Sequence, residues 1–272
     1  MGRSVRGRAM AVGGVVALLV AGVAACGADA GDDGDPEQRS FPLRGRVLTV
    51  DSDDYALELV PADVDEVRVT RWFQDSVVVG KDPRLSWEMK DDRLRLRVRC
   101  SGFIADCSAR HRVEVPRDVA VTVKGDDGSV TAKGFTEALS IGTDDADVRV
   151  SGSGGPLTVR TKDGSVRVSD VRGALEVYSE DGSVRAERVG SRSVKAGTED
   201  GAVRLSLAAV PDRVEARSVD GSVDVSLPRG TYRVTAESSD GSVDVSVPRD
   251  ETSEHVIGVR TEDGSIKVRT AN

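Results

Sequence analysis

After residue 120 of this 272-residue chain an Asp-Gly turn returns seven times, with one loosened copy at Asp145-Ala146, and one side-chain pattern travels with it. The turn aspartates are Asp127, Asp145, Asp163, Asp181, Asp200, Asp220, Asp240 and Asp263, spaced by 18, 18, 18, 19, 20, 20 and 23 residues. Apolar side chains stand six and four residues before each of them, as in Leu157 and Val159 or Ile257 and Val259. Two before, the residue is always small: Gly125, Thr143, Thr161, Ser179, Thr198, Ser218, Ser238, Thr261. Three and five after, the apolar pair resumes, as in Val166 and Val168 or Val223 and Val225. A fixed period near 20 residues marks a repeat architecture, in which one unit cannot bury its apolar face alone and must stack on its neighbours. Function in such a chain belongs to a surface of aligned outward residues rather than to a pocket.

Alternation at period two predicts strands with one buried face, and Asp-Gly offers the positive φ angles of a tight reversal. Each unit therefore reads as strand, turn, strand. The face parity suits a two-residue hairpin, and it suits equally a β-arc whose strands enclose a shared core. Near-constant spacing, with a second punctuation at Arg172-Gly173, Val189-Gly190, Pro228-Arg229-Gly230 and Pro248-Arg249, favours stacked coils.

At the other end, Arg3, Arg6 and Arg8 precede an apolar stretch from Ala9 to Ala25 that ends in small residues before Cys26. A basic segment followed by a short Gly- and Ala-rich apolar one describes an export signal over residues 1–25 rather than a transmembrane span. Val23-Ala24-Ala25-Cys26 resembles the lipobox of bacterial lipoproteins, and that resemblance implies diacylglycerol on the Cys26 sulfur and an extracytoplasmic, membrane-anchored protein. Two acyl chains anchor stably where one does not. Residues 26–40 hold five acidic side chains, one arginine and no large apolar residue, so a flexible tether is expected there. Removing residues 1–25 takes away three arginines and no acid, which leaves 35 basic against 46 acidic side chains, a net of −11. That balance argues against a nucleic-acid partner, which requires concentrated positive charge.

Cys100 and Cys107 lie between two strand-like runs, and in an exported protein such a pair is expected to close a disulfide across a loop. Residues 41–120 carry six of the nine aromatics in alternating runs, which reads as an irregular β segment that begins and caps the stack. Trp72 and Trp87 suit cap packing there better than a carbohydrate platform.

The lipobox, the segment CSGFIADCSARHRVEVP and the repeated DGSVxV units together resemble the actinobacterial branch of the DUF4097 family, over roughly residues 45 to 272. Members of that family carry an adhesin label and are related to head domains of autotransporter adhesins. The resemblance implies a β-solenoid of short parallel strands, and hence arcs over hairpins across 121–272. It also implies a non-catalytic adhesin-like or scaffolding module at the envelope, binding an envelope protein or polymer and holding no cofactor. A sensor module in envelope-stress signalling is the alternative, suggested by family members linked to such systems. A polysaccharide-acting enzyme comes third, because repeated aspartates are expected at turns and no histidine recurs beside the serines. No metal site is expected: stacking would bring the turn aspartates to about one strand spacing, but the nonapeptide of calcium β-rolls is absent.

Four residues after each turn aspartate, facing outward, stand Thr131, Arg149, Arg167, Arg185, Arg204, Asp224, Asp244 and Lys267. Stacked in sequence order, they would form four arginines and then two aspartates. The arginine stripe Arg149, Arg167, Arg185, Arg204 is the candidate partner-binding surface for an anionic polymer or an acidic protein edge. Glu180, Glu199 and Glu262 are the acids expected to neutralise it if it is only a solvated face.

Overall fold

The computed structural model describes residues 36–271, apart from the side chains of residues 76–80 and 103–106. Cys26 and the export signal lie outside the described residues. The chain opens with β1 (Glu37–Phe41), β2 (Val47–Ser52) and β3 (Ala56–Ala62), followed by two long strands, β4 (Val67–Lys90) and β5 (Arg93–Pro116). Sixteen short strands then come in pairs, one pair to a coil. They begin with β6 (Ala120–Gly125) and β7 (Ser129–Lys133), β8 (Leu139–Gly142) and β9 (Asp147–Ser151), β10 (Leu157–Thr161) and β11 (Val166–Ser169), β12 (Leu175–Ser179) and β13 (Val184–Val189). They end with β14 (Ser193–Gly197) and β15 (Val203–Leu207), β16 (Arg213–Arg217) and β17 (Val223–Leu227), β18 (Arg233–Ser238) and β19 (Val243–Val245), β20 (Val256–Thr261) and β21 (Ile266–Thr270).

The two strands of a coil pair with their equivalents in adjacent coils, in parallel and in register: Val159 lies opposite Ile141 and Val177, and Val166 opposite Val148 and Val184. Each unit is thus an arc, and the even strands from β6 onward build one wall while the odd strands build the other. The wall-to-wall space is filled by the expected apolar pairs, among them Val159, Val166, Val184, Val203 and Val214, each at 0% exposure.

What holds the turns is a polar ladder on the inner edge. The Ser179 hydroxyl accepts a hydrogen bond from the Gly182 N–H of its own turn (3.0 Å) and donates to the Gly164 carbonyl of the preceding coil (3.0 Å). Thr198, Ser218 and Thr261 repeat the arrangement with Gly201 and Gly182, Gly221 and Gly201, and Gly264 and Gly221. At Thr161, Ser179, Thr198, Ser218, Ser238 and Thr261 the position two before the aspartate is therefore small and hydroxylated, because it satisfies buried backbone groups that no strand reaches.

The turn glycines act differently from the sequence expectation. Only Gly128 among them has a positive φ, of 88°. Elsewhere the stacking distance requires glycine: a Cβ on Gly182 would meet the Gly164 carbonyl oxygen at 2.2 Å, and one on Gly221 the Gly201 oxygen at 1.9 Å.

Three further departures follow from burial. Residues 47–62 are not an irregular start but a full ninth coil, with Leu48, Val50 and Ser52 before Asp54 and Leu57 and Leu59 after it. Val50 pairs with Val123, and Leu57 with Val130. The expected tether ends early, because β1 runs antiparallel to β4 and seats Phe41, 5% exposed, edge-on to Trp87.

The third departure is the coil order at the C-terminal end. There β20 lies between β16 and β18, and β21 between β17 and β19, so the last coil in sequence is the last but one in space. This order buries Ile257 (0%) and Ile266 (1%) between two neighbours and leaves the smaller Val234 and Ala236 at the end, half-buried. Apolar burial of the larger pair favours that exchange, and the 23-residue final spacing supplies the return segment.

At the opposite end, β4 and β5 form one long antiparallel hairpin through Asp91 and Asp92, both with left-handed φ. The two halves of β5 lie on β2 and β3. Between them Cys100 and Cys107 are joined by a disulfide whose Cα atoms are 6.4 Å apart. Seven residues of straight strand would span about 23 Å, so β5 folds back on itself and the disulfide ties the fold-back. Reduction is expected to cost roughly 2–3 kcal/mol by loop entropy, visible as an earlier melting transition of the reduced protein. Two titratable thiols in the native protein would contradict the bridge.

Candidate functional site

Register turns the four expected arginines into one row. Arg149 lies opposite Arg167, Arg167 opposite Arg185, and Arg185 opposite Arg204, on β9, β11, β13 and β15. Each points outward because the residues on either side of it in its strand point in, and the side chains of Arg149, Arg167 and Arg185 are 50–54% exposed. Hydroxyl residues flank the row: Ser165 and Ser183 on the turn side, Ser151 and Ser169 on the other. Together they line a shallow groove of about 760 Å³.

The row is partly compensated. Asp147 lies 3.4 Å from Arg149 and 3.9 Å from Arg167, and Glu187 pairs with Arg185. Arg204 has no ion-pair partner among the described residues. The neutralising acids are thus Asp147 and Glu187, not the expected Glu180, Glu199 and Glu262. Those three stand at the turns, and Glu199 accepts the Tyr178 hydroxyl hydrogen bond (2.7 Å). Beyond Arg204 the row continues as Asp224, Lys267, Asp244, because of the exchanged coils. The two aspartates expected side by side are separated by a lysine.

Exposed ion pairs of this kind contribute little to stability. Unit charges one strand spacing apart repel by roughly 1 kcal/mol in water. Four aligned guanidiniums with two acids between them therefore retain a net attraction for an anion, and guanidinium forks suit carboxylate and phosphate.

The sequence reading missed the opposite wall. There Tyr178 stands between Arg160 and Gly197, and the side chain of Arg217 crosses the bare glycine to lie 5.7 Å from the Tyr178 ring. Glycines at 142, 197 and 258 leave this wall open as a groove of about 1070 Å³. The signal was present in the outward positions three residues before each aspartate, where Gly142, Arg160, Tyr178, Gly197 and Arg217 align.

The turn acids crowd at the N-terminal end. Burial raises the Asp127 carboxyl above its ordinary value, and Asp145 beside it adds to the rise; Asp54 is raised by burial and then by Asp127 and Asp126. Lys162 meets Asp144 at 2.9 Å. Among the described residues no group of three His, Cys, Asp or Glu side chains is placed to hold a metal ion.

His111 is 1% exposed within the cap, where burial and then Arg71 push it down to about 4. His255 lies far along the stack, its Nδ1 2.8 Å from the Pro211 carbonyl. Neither adjoins a turn serine as a general base. Trp87 and Trp72 each carry a guanidinium over one face at 4.2 Å, from Arg71 and Arg110. Trp87 packs against the core within the cap.

These features define a class: a parallel β-solenoid, closed at one end by a hairpin, whose outward residues form continuous rows. The chain belongs to the Toastrack DUF4097 family, whose model matches residues 99–269. Among solved structures it is similar to a "putative adhesin" from Parabacteroides merdae, at 10% identity over 88% of this chain and 98% of that one, with a TM-score of 0.55. A "putative adhesin" from Bacteroides fragilis aligns at 12% identity over 90% and 100%, with a TM-score of 0.49. At such identities the first likeness is one of fold. No curated protein matches the sequence.

Proposed function

We propose that the chain is a non-catalytic, adhesin-like binding module, anchored through lipid on Cys26 to the outer face of the cell membrane, and that it grips an anionic envelope polymer along the arginine row. The observation that carries this reading is the in-register alignment of Arg149, Arg167, Arg185 and Arg204 on an open face edged by hydroxyls. A polymer with a repeating carboxylate or phosphate meets several guanidiniums at once, and the summed weak contacts supply avidity without a pocket. The name "putative adhesin" borne by the Parabacteroides merdae structure supports the adhesin-like part of this reading.

The test is binding of the purified protein to an immobilised polyuronate and to isolated envelope. Replacing all four arginines by serine is expected to remove most of the binding while leaving the melting temperature nearly unchanged, and salt should weaken what the wild type retains. Equal binding by the quadruple variant would reject the row. Cys26→Ser in cells should move the protein out of the membrane fraction, and unchanged partitioning would reject the anchor independently of the row.

A further inference from the structure

The two walls of the stack carry different chemistry. On the odd-strand wall four aligned arginines have two acids between them. On the even-strand wall the charges along the groove are largely paired. Arg160 pairs with Glu176, Arg213 with Glu215 (2.7 Å) and Arg260 with Glu237 (2.7 Å), and Lys195 lies in register between Glu176 and Glu215. A wall so balanced has little net pull on an anion, yet it presents carboxylate acceptors and guanidinium donors side by side.

At its centre Tyr178 is fixed across the neighbouring coil. Its Cδ2 is 3.3 Å from where a Cβ on Gly197 would stand, and its hydroxyl donates to Glu199 (2.7 Å), two residues beyond that glycine. The ring therefore lies over β14 and the turn that follows, and it remains partly exposed. Arg217 flanks it from the next coil, 5.7 Å from the ring centre, with no carboxylate partner among the described residues. Glycine at 197 keeps this place open, since a Cβ there would meet the Arg217 Cγ at 3.0 Å. Gly142 and Gly258 prolong the opening to both sides. The groove thus crosses six coils, from β8 to β20, about 24 Å at one strand spacing per coil.

We propose that this groove is a second binding site, separate from the arginine row, for a neutral polysaccharide lying along the stack, with one sugar ring stacked on Tyr178 and its hydroxyls bound by Arg217 and the flanking ion pairs. A pyranose has apolar C–H faces and a rim of hydroxyls, which an aromatic surface edged by donors and acceptors matches. Charge balance selects an uncharged polymer over an anionic one. The length of the groove selects a chain over a single sugar. A peptide strand finds no unpaired backbone to join on a sheet face.

The mature chain, made as Cys26→Ser so that it stays in solution, tests this by retention on columns bearing a neutral glucan, mannan, galactan or arabinan. Retention on at least one is expected, undiminished by salt, because no net charge is engaged. Tyr178→Ala should weaken it about tenfold through the lost stacking surface. Gly197→Val should weaken it as much by filling the groove. That variant keeps the fold, because only side chains bound the space, Arg217 can swing aside, and a β-branched residue suits a strand. Replacing the four arginines of the opposite wall should leave retention intact, so the two sites fail separately. No retention by any of the four polymers would overturn the proposal. So would retention that Tyr178→Ala and Gly197→Val leave unchanged, or that disappears with salt or with the arginine row.

Discussion

Val184→Asp is expected to destabilise the stack by several kcal/mol, the effective cost of an unpaired charge in a protein interior. Val184 is at 0% exposure and lies between Val166 and Val203 in the middle of the odd-strand wall. Because each coil is stabilised mainly by its neighbours, the loss spreads along the stack. A domain has only about 5–15 kcal/mol to lose. The adjacent Arg185→Ser removes an exposed side chain and its ion pair to Glu187, and it should cost under about 0.5 kcal/mol. Denaturant melts of the two variants decide the matter, and equal losses would show the face assignment to be wrong.

Gly221→Ala is expected to cost roughly 3 kcal/mol, at the upper end for overpacking. The new methyl would sit 1.9 Å from the Gly201 carbonyl oxygen and 2.9 Å from the Ser218 hydroxyl. That carbonyl is backbone, already engaged by the Ser218 hydroxyl, so it has no rotamer by which to move away. Gly258→Ala is the control. Its nearest neighbour would be the Val214 carbonyl at an ordinary 3.8 Å, and its backbone is not left-handed. It should be neutral or stabilising by about 0.5 kcal/mol, through a less flexible unfolded chain. If both substitutions prove harmless, the coils are not packed as closely as this stacking requires.

Much of this was legible in the chain. The inward positions, the side-by-side alignment of the four arginines and the Cys100–Cys107 bridge could be read from the chain because each depends on a local period or spacing that stacking preserves. The ninth coil was legible too, since Leu48, Val50, Ser52, Leu57 and Leu59 keep the offsets around Asp54. It was missed because Tyr55 stands where the repeat has glycine and because 73 residues separate Asp54 from the next turn aspartate, Asp127.

By itself, then, the sequence determined which residues face in, which face out and that successive units must stack, because period-two alternation and a near-constant repeat are consequences of backbone geometry. The tertiary structure alone decided the order of the stack, and with it the neighbours of Asp224, Lys267 and Asp244. Apolar side chains several turns apart are chemically interchangeable, so coil order rests on comparing how much area Ile257 and Ile266 bury inside against Val234 and Ala236 at the end. The role of the turn glycines was also beyond the chain itself, because the carbonyl that excludes a side chain at Gly182 or Gly221 belongs to the coil beneath it.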